Sequence, residues 1–220
     1  MKNNNLRIDY LPNHKEITLY QREDMFRLNT DSALLGEFFV FNDNESLLDI
    51  GTNNGVILLY ASIKAKGKLF GIDVFLEALE LCKKNLSLHN VEATLIQTNA
   101  KDYINEKVDV IVSNPPFFKK DGSTPCTNEF LDIARREVLL SLDDLFNTVS
   151  NNLKDEGRFY LVHRYDRKEE IIKTANKFKL YLHEIKNVFD KRINKFVTSL
   201  FLFKKVDTSE VLENEMIIPQ

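Results

Sequence analysis

A buried strand that stops abruptly is predicted by the segment Val108-Asp109-Val110-Ile111-Val112-Ser113-Asn114-Pro115-Pro116-Phe117. Its β-branched, apolar residues are typical of a strand that is covered on both faces. Pro115 and Pro116 have a fixed φ and no backbone donor, so the strand cannot continue past Asn114. The Asn114 carboxamide and the Phe117 ring are therefore predicted at the carboxyl end of a strand, where open α/β sheets bind ligands. These groups offer hydrogen-bond acceptors and a stacking surface, but no nucleophile, metal ligand or strong base.

Strand and helix patterns alternate on both sides of this segment. An edge strand is predicted near 17–20, core strands at 46–51, 69–73, 93–97, 108–114 and 158–163, and final strands near 180–185 and 197–203. Helices are predicted at 31–40, 56–65 and 75–88, from the capping sequence 141–144 onward, and at 166–178. This alternation predicts an α/β fold with a doubly wound, mostly parallel seven-stranded sheet. No helix pattern separates the last two strands, so the last strand is expected to be antiparallel.

The size and composition of the chain set its broad class. With 220 residues, we expect one α/β domain at 31–205, an N-terminal extension at 1–30 and a C-terminal tail at 206–220. The net charge of -3 gives no global nucleic-acid signature, so any RNA contact must come from local basic patches. Two cysteines without CxxC spacing predict reduced thiols, and no apolar run approaches a membrane span. We therefore expect a cytoplasmic protein with no membrane association and no metal site.

A loop of small residues follows the first core strand. In Asp49-Ile50-Gly51-Thr52-Asn53-Asn54-Gly55, small residues let a cofactor approach the backbone, and the next helix starts facing it. Asn53 stands where glycine is more usual, and Asn tolerates left-handed φ. Asp73 ends the second core strand, where a carboxylate can accept hydrogen bonds from ribose hydroxyls. A tight turn at the loop and a helix cap at Asp73 are the purely structural alternatives.

The charge of Asp49 distinguishes between two cofactor types. A dinucleotide site requires G-x-G-x-x-G, and this loop lacks the second glycine of that pattern. Asp49 would repel a pyrophosphate, whereas it suits the cationic amino and sulfonium end of S-adenosylmethionine. The loop therefore favours a methyl donor over a nicotinamide cofactor.

Three motifs together resemble class I S-adenosylmethionine-dependent methyltransferases of the branch that modifies amino groups. They are Asp49-Ile50-Gly51, Asp73 and Asn114-Pro115-Pro116-Phe117. The resemblance implies a Rossmann-like methyltransferase fold and a catalytic set of Asn114, Pro115, Pro116 and Phe117. In that family pattern, Asn114 and the Pro115 carbonyl accept hydrogen bonds from the substrate NH2, and Phe117 stacks on its planar group. The implied cofactor-binding residues are Asp31, Asp49, Gly51, Thr52, Asn53, Gly55, Asp73, Asn99 and Asn114.

Flanking segments narrow the resemblance, which spans roughly residues 20–205. Thr30-Asp31 followed by Leu34-Leu35-Gly36 is similar to bacterial tRNA(Val) adenine-N6 methyltransferases, which act beside the anticodon. Ala134-Arg135-Arg136-Glu137, leading into 141–145, also resembles that family. Two positions depart from its pattern. Asn53 replaces the middle glycine of the loop, and Asn99 replaces an Asp directed at the cofactor adenine; an Asn can still hydrogen-bond an adenine edge.

Basic residues near the Asn-Pro-Pro-Phe motif are the candidate RNA contacts. They are Lys119, Lys120, Arg135 and Arg136, with further basic residues at 164, 167, 168, 191, 192 and 195. Lysine and arginine contacts to phosphates supply most of the sequence-independent affinity for RNA. The alternative is a solvated charged surface. We expect RNA, in particular tRNA, as the partner, and a monomer with weak self-association as the alternative.

Other polar residues are not assigned to catalysis. The four histidines have no acid or cysteine at triad spacing, and His163 is expected to have a packing or surface role. Cys82 falls on the apolar face of a predicted helix and is expected in the core, whereas Cys126 receives no role.

The sequence is compatible with three hypotheses for the function of the protein. The first is N6 methylation of an adenine in tRNA. The second keeps the chemistry but changes the acceptor to guanine N2 in rRNA or to a glutamine N5 in a release factor. The third is a non-catalytic RNA- or cofactor-binding module with the same fold.

Overall fold

The computed structural model describes residues 6–115 and 140–218. The strands are β1 (Leu6–Leu11), β2 (His14–Arg22), β3 (Ser46–Ile50), β4 (Lys68–Asp73), β5 (Thr94–Gln97), β6 (Val108–Ser113), β7 (Leu153–Arg164), β8 (Tyr181–Asp190), β9 (Lys195–Lys204) and β10 (Leu212–Ile217). The helices are α1 (Thr30–Phe38), α2 (Val56–Lys64), α3 (Leu76–Ser87), α4 (Leu142–Asn152) and α5 (Lys168–Lys177), with short 3-10 helices at Ala100–Asp102 and Tyr165–Arg167.

The main sheet has eight strands in the order β10-β8-β9-β7-β6-β3-β4-β5. The five strands from β7 to β5 are parallel to their neighbours, and β9 is antiparallel to both β7 and β8. The predicted α/β fold with one antiparallel strand is thus confirmed. An eighth strand, β10, lies within the segment predicted as a tail and pairs in parallel with β8, with Leu212 opposite Glu184. The β8–β9 hairpin therefore lies inside the sheet, with β10 at its edge.

The alternating side chains of β6 divide the core into two layers. Val110 and Val112 pack among residues of α1 and α2, and Ile111 packs on the other face with α4 and α5. All three side chains are fully buried. Burial on both faces of β6 explains why this segment reads as a continuous apolar run, and it leaves only its carboxyl end available for function.

A two-stranded hairpin, β1–β2, packs beside α3, and the predicted edge strand lies within β2. The buried Asn85 of α3 holds the hairpin in place. It accepts from the Tyr20 amide at 2.7 Å and donates to the Tyr20 carbonyl at 3.0 Å and to the Asn54 carbonyl at 2.9 Å. This single side chain therefore links the hairpin to the loop after β3.

The predicted capping sequence starts α4 as expected. Ser141 and Asp144 form a reciprocal capping box, which satisfies two free backbone donors. Across residues 6–115 and 140–218, no helix is long and apolar enough to cross a membrane.

Candidate active site

The candidate site lies at the carboxyl edge of β3, β4, β5 and β6. Asp49 of β3 is opposite Gly71 of β4 and Val112 of β6, so the loop after β3 lies between the ends of its two neighbours. Ser113 donates to the Ile50 carbonyl at 3.0 Å, which ties the ends of β6 and β3 together. Since these strands are parallel, the loop at 51–55, Asp73 and Asn114 meet at one edge.

Left-handed backbone conformations let the loop after β3 fold back on β4. Gly51, Asn53 and Gly55 have φ of 78°, 47° and 84°. The Asn53 conformation confirms that an asparagine can occupy the position where glycine is more usual. Its Nδ2 also donates to the Phe26 carbonyl at 2.6 Å, so the side chain helps to hold the turn.

Gly55 provides a test of this loop. A Cβ at Gly55 would lie 2.8 Å from the Cys82 sulfur in addition to adopting an unfavourable φ, whereas a Cβ at Gly51 would meet no heavy atom within 4 Å. We expect Gly55→Ala to lower the free energy of unfolding by about 2–4 kcal/mol, from strain plus overpacking. The matched Gly51→Ala variant carries only the backbone strain, about 1–2 kcal/mol. Urea denaturation measures both, and equal losses would contradict the proposed contact with Cys82.

Asp49 is a buried carboxylate with one free oxygen. Its side chain is 1% exposed, and Oδ2 has no hydrogen-bond partner among the described residues. Burial raises the pKa of Asp49 to about 7, a hydrogen bond with Thr52 opposes this rise, and the charge of Asp73 adds to it. A buried, unpaired acid at a ligand-binding edge is a candidate receptor for a cation.

Asp73 is held by the loop that it faces. Its carboxylate accepts from the Asn53 amide at 2.9 Å and from the Phe75 amide at 3.0 Å. Burial raises the pKa of Asp73, and these backbone hydrogen bonds oppose the rise. Each carboxylate oxygen retains acceptor capacity, so the fixed carboxylate can receive two hydroxyl groups.

Asn99 lies just beyond the end of β5, the next strand along the same edge. It follows β5 and caps the short helix Ala100–Asp102, accepting from the Lys101 amide at 3.2 Å. The Thr98 amide donates to the Asp73 carbonyl at 3.0 Å, which brings the ends of β5 and β4 together.

Asn114 lies directly after β6, opposite the start of α1. Its Nδ2 donates to Ser32 Oγ at 3.0 Å, and Ser32 Oγ donates to Asn29 Oδ1 at 2.8 Å. Pro115 is buried. Pro116, Phe117, Lys119, Lys120, Cys126, Arg135 and Arg136 lie outside the described residues, as does the predicted loop at 118–135.

Asp31 and His163 lie on the opposite side of β6 from the loop at 51–55. Burial raises the pKa of Asp31, and its hydrogen bond to Thr198 of β9 opposes the rise. His163 at the end of β7 is fully buried. Burial and the charge of Arg167 lower its pKa to about 3, so the ring is neutral near pH 7. The expected core position of Cys82 is confirmed, since its side chain is fully buried.

Two residues of the site are absent from the sequence-based candidates. Ser32 is a buried serine in α1 whose contact with Asn114 spans 82 residues, so no local pattern indicates it. Asn54 lies within the quoted loop, and its Nδ2 is buried with no partner among the described residues. Burial of this amide without a partner suggests a ligand, and only the structure reveals it.

The residues present fit S-adenosylmethionine. Asp49 Oδ2 provides a buried anionic acceptor for a cationic amino end, and the open space at Gly51 admits a ligand close to the backbone. Asp73 provides the fixed carboxylate that a ribose requires. The unpaired Asp49 oxygen argues against a phosphate-containing cofactor, since it would repel one.

The fold and this edge of the sheet define a Rossmann-like, S-adenosylmethionine-dependent methyltransferase. The fold is similar to that of precorrin-6y C5,15-methyltransferase from Geobacter metallireducens, with a TM-score of 0.61 and 15% identity over 86% of this chain and 94% of that one. The model of the family described as "Methyltransferase small domain" matches residues 16–182, and the chain belongs to this family.

Curated relatives extend over most of the chain. It is 30% identical over 173 residues to a protein of a Flavobacteriaceae bacterium, covering 76% of this chain and 72% of the relative. It is 29% identical over 172 residues to a protein of Phocaeicola vulgatus, with the same coverage. Both relatives are named tRNA1(Val) (adenine(37)-N6)-methyltransferase.

Proposed function

We propose that this methyltransferase transfers a methyl group to the N6 amino group of an adenine near the anticodon of a tRNA. The observation that carries the proposal is the Asn114 carboxamide at the end of β6, beside the loop after β3 and Asp73. The names of the relatives support tRNA1(Val) as the substrate and adenine 37 as the nucleotide.

The proposed binding roles follow the chemistry of each side chain. Asp49 receives the cationic amino end of S-adenosylmethionine, and Asp73 receives the ribose hydroxyls. Thr52, Asn53 and Gly55 shape the loop around the donor, Asn99 meets the adenine edge, and Asp31 is a further proposed cofactor-binding residue. When bound, S-adenosylmethionine supplies an electrophilic methyl group on a sulfonium centre.

The proposed catalytic roles concern the acceptor nitrogen. The lone pair of an adenine amino group is delocalised into the ring, so it is a weak nucleophile. Asn114 Oδ1 and the Pro115 carbonyl accept hydrogen bonds from its two N–H groups, which increases electron density on the nitrogen and directs the lone pair at the methyl group. Pro116 makes the motif rigid, and Phe117 stacks on the base. Positioning and polarisation thus replace a strong base in lowering the barrier.

The proposed RNA contacts and assembly remain predictions. Lys119, Lys120, Arg135 and Arg136 are proposed to bind phosphates near the reacting base. We also propose that residues 31–205 act as the methyltransferase domain and that the protein works as a monomer. Light scattering of the purified protein at micromolar concentration tests the last point, and a dimer would contradict it.

Mass spectrometry of nucleosides tests the proposed reaction. Unmodified tRNA1(Val) transcript, rRNA fragments and a release-factor peptide are each incubated with the protein and S-adenosylmethionine, and the products are digested. N6-methyladenosine from the tRNA alone is the expected product. N2-methylguanosine or N5-methylglutamine would assign a different acceptor, and no product with any substrate would favour a binding module.

A further inference from the structure

The tip of the β8–β9 hairpin carries exposed cations at the same edge of the sheet as Asn114. β8 ends at Asp190 and β9 begins at Lys195, with Asp190 opposite Lys195. Because β8 runs parallel to β7 and β6, its carboxyl end faces the site. At about 5 Å per strand, three strand spacings place the hairpin roughly 15 Å from Asn114, within reach of a few nucleotides.

Two lysines at this tip are not neutralised. Arg192 is paired with Asp190 at 2.7 Å, and Lys168 nearby is paired with Glu213 at 3.1 Å. Lys191 and Lys195 are exposed, and within the described ranges neither has a carboxylate within 4.0 Å. In a chain with a net charge of -3, such unpaired cations give this tip a local positive charge.

Aromatic packing holds the hairpin in one position. Phe196 stacks on Tyr165 with ring centroids 4.9 Å apart, and Phe189 meets Phe196 edge-on at 5.1 Å. Tyr165 belongs to the short helix directly after β7, so the hairpin is attached to the strand beside the site strand β6. The two lysines are thus presented from a rigid base, which lowers the entropic cost of binding.

We propose that Lys191 and Lys195 form a docking surface for the phosphate backbone of the substrate RNA. This inference rests on the proposed function and extends it to a part of the molecule remote in sequence from the Asn-Pro-Pro-Phe motif. Two lysines at a fixed distance from the reacting base would set the register of the RNA without reading its sequence.

The test compares two double variants with the same change in charge. Lys191→Gln/Lys195→Gln is expected to weaken binding of unmodified tRNA transcript about tenfold at 0.1 M salt and to reduce the slope of log K against log salt by about one per lysine. Lys66→Gln/Lys68→Gln removes two exposed lysines at the amino-terminal start of β4, at the opposite edge of the sheet, and is expected to behave as wild type. Affinity for S-adenosylmethionine should be unchanged in both.

The outcomes separate this inference from the proposed function. If both double variants have the same tRNA affinity and salt slope, the docking surface is refuted. The proposed function still holds in that case, provided that the wild type methylates tRNA. If the wild type neither binds nor methylates tRNA, both the docking surface and the proposed function are refuted. An acidic protein partner would then be the alternative ligand of the two lysines.

A second, independent observation concerns the orientation of the Asn114 amide. The backbone N–H of Ser32 can only donate, so the Asn29 atom that it contacts at 2.9 Å must be Oδ1. The Ser32 hydroxyl lies 2.8 Å from the same oxygen and must give its single proton to it. Towards Asn114, therefore, Ser32 Oγ can only accept, and the amide must present Nδ2 at 3.0 Å.

The reversed amide is disfavoured. If Asn114 Oδ1 faced Ser32, the single proton of the Ser32 hydroxyl would have two oxygen acceptors, Asn29 Oδ1 and Asn114 Oδ1. One of these two close oxygen–oxygen contacts would then have no hydrogen between its atoms, which is repulsive. The hydrogen-bond network thus leaves Oδ1 as the free end of the amide. That atom is the acceptor that an incoming NH2 group requires, whereas a reversed amide would place a donor against a donor.

We infer that Ser32 is a positioning residue, which selects the productive orientation of Asn114 without touching the substrate. This inference rests on the proposed role of Asn114. Ser32→Ala is expected to lower kcat for tRNA methylation about tenfold or more, with little change in KM. Asn29 retains its bond to the backbone of residue 32, so α1 remains capped. Ser199→Ala is the control, since Ser199 Oγ is also buried and donates to an asparagine Oδ1 at 2.8 Å.

A change at Asn114 itself distinguishes positioning from structural support. A carboxylate presents an acceptor oxygen in either orientation, so it needs no partner to orient it. In the Asn114→Asp background, removing the Ser32 hydroxyl should therefore change kcat by no more than about twofold. A loss as large as in the wild-type background would overturn the inference, as would unchanged kcat in Ser32→Ala alone. Absence of methylation by the wild type would instead refute the proposed function.

Discussion

Asn114→Ala is expected to lower methyl transfer to tRNA by about 10²–10³-fold, the usual cost of removing one preorganised hydrogen-bonding group at a reacting centre. The amide oxygen would no longer accept from the substrate NH2, so the lone pair would lose its direction. Single-turnover transfer from labelled S-adenosylmethionine measures the effect. Binding of S-adenosylmethionine, measured by calorimetry, should change little because Asp49 and Asp73 remain in place.

Asn151→Ala is the control for this experiment. Asn151 is an exposed asparagine of α4, and among the described residues its side chain hydrogen-bonds only with Asn147, at 3.4 Å. Full activity is expected in this variant. Robust transfer by Asn114→Ala would refute the role proposed for the amide, and it would direct attention to the Pro115 carbonyl as the main acceptor.

Asp49→Asn is expected to have opposite effects on binding and on stability. Removing the carboxylate charge should weaken S-adenosylmethionine binding by about 100-fold or more, because the cationic end of the ligand would lose its buried counter-charge. The same change should stabilise the free protein at pH 8. There the wild type has to ionise a buried acid whose pKa is raised from 3.8 to about 7, at a cost on the order of 4 kcal/mol.

The sign of the pH dependence follows from this raised pKa. Well below pH 4 the carboxyl group is protonated in both the folded and the unfolded states and costs nothing. As pH rises from 4 to 7, the unfolded state ionises first, so the wild type loses stability relative to the variant. After the cost of an unpaired amide is subtracted, Asp49→Asn should be about 1–3 kcal/mol more stable at pH 8.

Calorimetry and urea denaturation at pH 6 and pH 8 measure both effects. The wild type should bind S-adenosylmethionine more tightly at pH 8, where Asp49 is ionised. Asp207→Asn, at an exposed position, should change neither property. A variant that binds the ligand as the wild type does would contradict the role of Asp49, and a strongly destabilised variant would show that the carboxylate supports the fold instead.

The parts of the site that could be predicted are those with local signatures. The segment from Val108 to Pro115 is predictable by itself, since a β-branched apolar run that stops at two prolines is typical of a strand end. The conformation of the loop at 51–55 is also predictable, because its glycine and asparagine residues tolerate the left-handed backbone conformations that the structure contains. Asp73 was placed by its position at the end of the next strand.

Other features depend on contacts between distant segments. The eighth strand pairs Leu212–Ile217 with β8. Its mostly exposed sequence is half polar and half apolar and has no regular alternation that would predict a strand. Asp31 hydrogen-bonds with Thr198 of β9, on the other side of β6, and no local pattern of the sequence indicates this contact. The free oxygen of Asp49 is likewise a property of packing, since a sequence cannot show which buried atoms lack a partner.

The sequence by itself determined the succession of strands and helices along the chain, the site edge and the type of chemistry, because periodicity, proline and small loop residues act over a few neighbouring positions. Only the tertiary structure decided the direction of the Asn114 amide and the position of the β8–β9 hairpin. Both rest on contacts across the sheet: Ser32 meets Asn114 over 82 residues, and β9 inserts between β7 and β8. The direction of a hydrogen bond and the order of strands within the sheet depend on several distant segments at once, so no single segment of the chain determines them.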